Sequence, residues 1–377
     1  MKDLPVTRNF SALFLNNVPL MDVRAPVEFN KGAFPGAVNI PLLDDVQRQQ
    51  IGLMYKQNGQ DAAIALGNQL ATPAVREARL SAWSHFIKAN PDAVLYCFRG
   101  GLRSQITQQW LAANGVCVPR VTGGYKALRT FLIQVLEDFC SGSQAVVIAG
   151  KTGCGKTDLL KLLPRHIDLE GAAKHRGSAF GHTVQVQPSP IDFENIISVD
   201  ILKYTADAGS GNAGNSIHRG ADKTWQVFIE DESHLIGRLK LPMSLYALIR
   251  SSPIIILEEA MPARVERILR DYIVRQRQDF ALQYGDSAAQ RFAGFVLGNL
   301  DRIERRLGTE RHRRIQAEWR EALMQLESSG EVDAFRPGVE FLLSSYYDPM
   351  YEHQLQRLVR PVLFKGDAAT ILHWLSR

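Results

Sequence analysis

The sequence predicts an α/β protein: a domain on a parallel sheet, a second α/β domain around a phosphate-binding loop, and a mainly helical, basic C-terminal region. Three observations carry this. Short apolar runs alternate with stretches of helical periodicity up to about residue 260, the pattern of strands joined by crossover helices. The segment Gly150-Lys151-Thr152-Gly153-Cys154-Gly155-Lys156-Thr157 fits G-x-x-x-x-G-K-[ST] in full between an apolar strand and a helix. Beyond Pro262 the pattern becomes helical and arginine-rich.

The length, 377 residues, exceeds that of a usual single domain. The expected divisions are residues 1–140, 141–262 and 263–377. A composition of 45% hydrophobic and 22% charged residues excludes a disordered chain, a collagen-like fibre and a small disulfide scaffold. The net charge of +5 permits a nucleic-acid partner without establishing one. The N-terminus lacks a basic segment followed by an apolar one, so no export signal is expected. The longest apolar runs, such as Ala145–Ala149 and Ile254–Leu257, are too short to span a bilayer. A cytoplasmic location without membrane attachment follows as the expectation. No two of Cys97, Cys117, Cys140 and Cys154 form a C-x-x-C pair, so reduced thiols rather than a zinc site are expected.

In the first domain, Val18–Asp22 and Ala93–Cys97 read as strands, and Gln105–Ala113 and Lys126–Phe139 as helices. Ser141-Gly142-Ser143 reads as a hinge. Then follow a strand at Gln144–Ala149, a helix at Lys156–Leu163, and strands at Asn195–Val199, Val227–Ile229 and Pro253–Leu257. Gly171–Asp192 and Gly209–Gly220 lack periodicity and read as loops. Between Arg264 and Arg320 stand 13 arginines and 8 acidic residues, an excess equal to that of the whole chain. On charge alone this is a solvated helix face.

Two segments carry chemistry. Tyr96-Cys97-Phe98-Arg99-Gly100-Gly101-Leu102-Arg103-Ser104 joins a strand to a helix. The amides of the turn and the helix N-terminus favour negative charge there. With Arg99 and Arg103 they favour a reactive Cys97 thiolate and form a nest for a tetrahedral oxyanion. Cys117 reads as core, Cys140 as a helix end, and Cys154 as part of the second loop. In that loop the amides around Gly150, Gly153 and Gly155 would wrap a pyrophosphate, Lys156 would contact its oxygens, and the Thr157 hydroxyl could bind Mg²⁺. Asp231 is the acidic partner expected for that ion, with Asp200, Glu258 and Glu259 as competitors. The guanine motif N-K-x-D is absent. Lys174, His175 and Arg176, within the Asp168–Ser178 segment, are candidate phosphate or RNA contacts, against a solvated loop. Glu230–Gly237 combines an acidic cluster with a helix-start pattern.

The first segment resembles the rhodanese family of sulfur-transfer domains. The resemblance extends to Asp22-Val23-Arg24 with Glu28-Phe29, to Gly32–Pro41, and to Val121–Leu128. Five residues separate Cys97 from Arg103, one more than is usual in sulfur-transfer rhodaneses. Related dual-specificity phosphatases share this spacing but usually carry His where Tyr96 stands. The whole chain resembles the bacterial tRNA 2-selenouridine synthases, through the two loops, Asp168–Ser178, Phe193-Glu194-Asn195, Glu230–Ser233 and Tyr347-Asp348-Pro349. That resemblance implies replacement of sulfur by selenium at C2 of wobble 2-thiouridine. Geranyl diphosphate first alkylates the sulfur, and selenium from selenophosphate then displaces the geranyl thiol, carried on Cys97 as S-selanylcysteine. It also implies tRNA acceptors for lysine, glutamate and glutamine as partners, selenophosphate synthetase as a donor-side partner, and no tightly bound cofactor, with selenophosphate and geranyl diphosphate as co-substrates and Mg²⁺ as an ion the site could take. The arginine-rich region, Arg305 and Arg313 included, would then contact tRNA phosphates. The alternatives are a thiosulfate sulfurtransferase fused to a nucleotide-dependent kinase or ATPase, a phosphatase, and a non-catalytic docking module.

Overall fold

The structure is a computed structural model that describes residues 4–178, 180–209, 217–219, 223–225, 227–356 and 360–376. The chain forms two compact units: Met1–Phe139 with Ser189–Asn212, and Cys140–Pro188 with Ala213–Arg377.

The first unit holds a five-stranded parallel sheet in the order Val6–Thr7, Arg120–Val121, Val94–Tyr96, Leu20–Asp22, Val38–Asn39. The two central strands are buried along their length, as expected of parallel strands covered on both faces. Leu102–Ala113 is a helix, and Gly124–Gly142 another that buries Tyr125, Leu128, Leu132, Leu136 and Phe139. Its apolar stripe therefore follows the helical period to its end. This helix runs through Ser141 and Gly142, where the sequence suggested a hinge.

Asn195–Val199 is not a strand. It lies inside the helix Pro190–Gly209, so Asp200 is helical rather than the end of a strand. The β-branched run Ile196-Ile197 invites the strand reading, but Phe193, Ile197 and Ile201 are fully buried at four-residue spacing, which is one helix face. That helix packs on Phe10–Leu15.

The second unit has a five-stranded parallel sheet in the order Val362–Gly366, Ile254–Leu257, Ala145–Gly150, Val227–Glu230, His166–Ile167. The boundary expected at residue 262 is absent because the edge strand Val362–Gly366 pairs with Ile254–Leu257. The C-terminal region thus completes the sheet that it follows. Between the two strands lies a helical subdomain. Its helix Thr309–Ser328 buries His312, Ile315, Trp319, Ala322 and Leu326, leaving Arg311, Arg313 and Arg320 exposed. Among the described residues no helix is long and apolar enough to cross a membrane.

Two loop expectations also change. Asp168 caps a short helix, Leu169–Ala173, through its carboxylate and the Gly171 amide at 2.7 Å. Glu230–Gly237 starts no helix. Leu235–Ile236 and Leu239–Lys240 form an antiparallel pair around Gly237. Gly209–Gly220 lies largely outside the described residues.

Candidate functional site: two oxyanion cradles

In the first unit, Cys97 stands at the end of the central strand Val94–Tyr96, before the helix Leu102–Ala113. The loop turns at Gly100, where φ is +66° and a Cβ would lie 2.8 Å from the Val121 carbonyl oxygen. Only glycine permits that approach. None of the amides of Arg99 to Ser104 donates to a protein acceptor among the described residues. Cys97 is only 3% exposed, yet it lines a cleft of about 1320 Å³. Its Sγ lies 3.1 Å from the Ser104 Oγ.

The two arginines differ. Arg103 grips Glu28 through two hydrogen bonds, at 2.5 and 3.1 Å, and both line the cleft. Burial pushes the Glu28 carboxyl up, but Arg103 outweighs it and the group lies below the usual range. Arg99 is exposed. Behind the loop Asp22 and Arg24 form a buried pair at 2.6 Å, and the Arg24 guanidinium lies 3.8 Å from the Tyr125 ring centroid. Tyr96 is fully buried and packs edge-on against Phe34. Of the other cysteines, Cys154 is buried and Cys140 half-buried, whereas Cys117 is exposed rather than core. Cys117 follows the helix Leu102–Ala113 and precedes the strand Arg120–Val121, and a connection of that kind leaves alternate side chains facing water.

In the second unit, the strand Ala145–Gly150 leads into the helix Lys156–Leu162. Its sheet neighbours, Ile254–Leu257 and Val227–Glu230, follow it in sequence on opposite sides, so the loop sits where ligands bind in such sheets. Gly155 has φ of +91°, and a Cβ there would lie 2.8 Å from the Arg267 guanidinium carbon. Arg267 donates to the Gly153 carbonyl at 2.8 Å, and Arg264 donates to that of Thr152 at 2.9 Å. Arg264 is itself held by Asp348 at 2.8 and 2.5 Å, and Asp348 also pairs with Lys151 at 3.4 Å. Arginines of the helical region thus brace the loop.

Lys156 donates to the Gly150 carbonyl at 3.0 Å. Burial would push its ammonium down, but Cys154 and the carboxylates of Glu170, Glu232 and Glu230 hold it above its ordinary value. The Thr157 hydroxyl lies 3.0 Å from Glu230 and 3.2 Å from Glu170. Carboxylate oxygens of Glu170, Glu230 and Glu232 lie within 4.8 Å of one another. Burial, then mutual repulsion, raises Glu230 well above its usual range and Glu232 to about 8. The Glu230 Oε1 is buried without a hydrogen-bond partner. An all-oxygen set with an orphaned buried carboxylate oxygen beside a phosphate loop fits a hard divalent cation. Asp231 is not among them: its carboxylate accepts from Arg360 at 2.8 Å, because successive residues of the chain face opposite ways.

An apolar slot opens beside this loop, lined by Thr152 together with Ile268, Phe295, Val296, Trp319 and Leu342. Of the residues expected to contact RNA, Lys174, Arg305 and Arg313 are exposed. His175 is 3% exposed, and burial, then His182 and Arg302, pushes it down to about 4. It is neutral near pH 7 and offers phosphate no charge. Arg176 pairs with Asp271 at 3.2 Å over the Tyr272 ring.

Comparison with known proteins accords with this arrangement. The family described as "tRNA 2-selenouridine synthase AAA domain" matches residues 143–377, and the rhodanese-like domain family matches residues 11–130. A tRNA 2-selenouridine synthase of Bordetella petrii is 48% identical over 371 residues, covering 98% of this chain and 95% of that protein. One from Bordetella bronchiseptica is also 48% identical, covering 98% and 97%. A Pseudomonas putida relative of the same name is 47% identical over 374 residues, covering 99% and 97%. With a family match over more than half the chain and relatives this similar along nearly its full length, the chain belongs to the tRNA 2-selenouridine synthase family.

Proposed function

We propose that the protein converts 2-thiouridine at the tRNA wobble position to 2-selenouridine in two steps, one at each cradle. In the first, the thiocarbonyl sulfur attacks C1 of geranyl diphosphate. The carbon–sulfur bond forms, the carbon–oxygen bond breaks, and pyrophosphate departs. Alkylation turns a poor leaving group into a good one and makes C2 more electrophilic. Lys156 and the loop amides stabilise the charge that develops on the pyrophosphate. A divalent cation held by Thr157, Glu170, Glu230 and Glu232 would supply further neutralisation of that charge.

The observation that supports an isoprenoid rather than a nucleotide is the slot at Thr152, whose walls are mainly apolar, Ile268, Phe295, Val296 and Leu342 among them, with Ser178, Tyr272, Asn299 and Tyr347 as its few polar groups. In the second step, selenophosphate binds at the Cys97 loop and its selenium displaces the geranyl thiol at C2. An anticodon base is accessible to such chemistry because loop bases can be splayed out of their stack. The exposed Arg305, Arg313 and Lys174 are the proposed phosphate contacts on tRNA, with the lysine, glutamate and glutamine acceptors as its targets.

The test is nucleoside mass spectrometry of tRNA incubated with the protein, geranyl diphosphate and selenophosphate, each omitted in turn. Geranylated thiouridine should accumulate without selenophosphate, and selenouridine should need both. Selenouridine formed equally well without geranyl diphosphate, or only with ATP, would overturn the reading.

A further inference from the structure

Selenium carried on Cys97 as S-selanylcysteine, the form expected from the sequence, conflicts with the electron count. Selenium in selenophosphate is already at the selenide level. A thiolate that attacked selenium would form a sulfur–selenium bond, and phosphorus would have to leave with the bonding pair as phosphite. Releasing phosphate by that route needs an oxidant.

The loop geometry offers a balanced alternative. The amides of Arg99 to Ser104 donate to no protein acceptor among the described residues, so they form a cradle for phosphoryl oxygens. Arg103, held at 2.5 Å by Glu28, fixes one side of that cradle. The Ser104 Oγ accepts from the Cys97 thiol at 3.1 Å while its own hydroxyl donates to the Gly101 carbonyl at 2.9 Å. Once the thiol has lost its proton, rotation of that hydroxyl turns its hydrogen to the sulfur and stabilises the thiolate and its later departure. Five residues between Cys97 and Arg103 make a wide turn, suited to a tetrahedral centre above the sulfur.

We propose that Cys97 attacks the phosphorus of selenophosphate, so that the protein has a selenophosphate-cleaving activity of its own. This rests on the reading that selenophosphate is the donor. The sulfur–phosphorus bond forms, the phosphorus–selenium bond breaks, and the pair leaves with selenium as hydrogen selenide. Hydrogen selenide attacks C2 of the S-geranylated base, the carbon–sulfur bond breaks, the geranyl thiolate leaves, and the proton on selenium passes to N3. Water then attacks phosphorus, releasing phosphate and regenerating the Cys97 thiolate. No atom changes oxidation state in any step. The cleft of about 1320 Å³ beside Cys97 far exceeds a single oxyanion. It leaves room for the base beside the loop, next to where selenide is released.

The experiment uses the full-length protein and selenophosphate radiolabelled in either phosphorus or selenium, without oxygen. After acid quenching, the wild-type Cys97 peptide should retain the phosphorus label and not the selenium label. Because a phosphoryl group and a selenium atom add nearly the same mass, labels rather than masses must decide. Without RNA, the wild type should release phosphate and selenide, and Cys97→Ser should do so at least about a hundredfold more slowly. Continued geranylation by Cys97→Ser shows that the variant is folded. Selenium label on Cys97, or phosphite as product, overturns the proposal. So does an unlabelled protein that releases phosphate only with RNA, which would mean direct attack of selenophosphate on the base. If the wild type makes no selenouridine from S-geranylated RNA and selenophosphate, the donor reading itself fails.

Discussion

The Cys97 loop and the Gly150–Thr157 loop solve the same electrostatic problem in different ways. Each follows a central parallel strand, turns on a glycine at positive φ and opens a helix. In the first, the fixed cation is tied off: Arg103 is matched by Glu28, and what remains reactive is a sulfur atom. In the second, a lysine is surrounded by three carboxylates, and the one thiol of the loop, Cys154, is buried. On the function proposed above, one loop accepts a phosphoryl group and the other releases a diphosphate. Backbone amides bind an oxyanion in either, and the side chains placed around them decide what happens next.

The sharpest way to break that contrast is to remove the defining group of each loop. Cys97→Ser should lower selenation at least about a thousandfold and leave geranylation intact. Lys156→Ala should lower geranylation about a hundredfold or more, with selenation of pre-geranylated RNA preserved. Nucleoside analysis with each step assayed separately gives the answer, and equal loss of both steps in either variant would mean that the loops act as one site.

The next effect is on stability. Arg264 is 3% exposed and bound to Asp348, and it carries the Thr152 carbonyl. Asp348→Ala would leave a buried guanidinium without its counter-ion, a loss of about 3–5 kcal/mol. Urea titration measures it. A midpoint within error of wild type would show that the pair does not brace the loop.

Smaller still is the effect of Glu28→Gln, which keeps the shape but removes the charge opposite Arg103. Selenation should fall about thirtyfold, with geranylation unchanged. Rescue by Glu28→Asp would mark a positioning role. Equal loss of both activities would point to misfolding instead.

How much of this was legible beforehand follows from what each signal depends on. Both loops could be read because strand, glycine turn and helix are neighbours in sequence. Glu28 stood in a quoted motif, but its pairing with Arg103, 75 positions away, follows only from the sheet order. Asp348 and Arg264, 84 positions apart, were hidden for the same reason. Composition cannot say which residues of the acidic run Glu230–Glu232 face inward, so Asp231 stands out in the sequence no less than the two glutamates that face Thr157 and Glu170 in the fold. Asn195–Val199 is helical despite its β-branched residues, because these fit a buried helix face when tertiary packing supplies the energy. His175 looked like a cation for RNA because exposure cannot be read from a short polar segment.

That last residue gives a pH test confined to the second unit. Burial, reinforced by His182 and Arg302, holds His175 at about 4, against about 6.5 in an unfolded chain. The folded pKa is depressed, so between these values the unfolded state binds more protons. Stability is therefore complete above about pH 6.5 and falls as the pH drops toward 4. His182, also lowered by burial, adds in the same direction. His175→Gln removes one titrating group and keeps a polar side chain of similar size. At about pH 5 the wild type should have lost on the order of 1–2 kcal/mol more than the variant, relative to pH 7. Urea midpoints at the two pH values supply the comparison. Parallel losses in both proteins would show that His175 is charged in the folded state, which would return it to the list of groups able to meet an RNA phosphate and erase one difference between the segment Lys174–Arg176 as read from the sequence and as built in the fold.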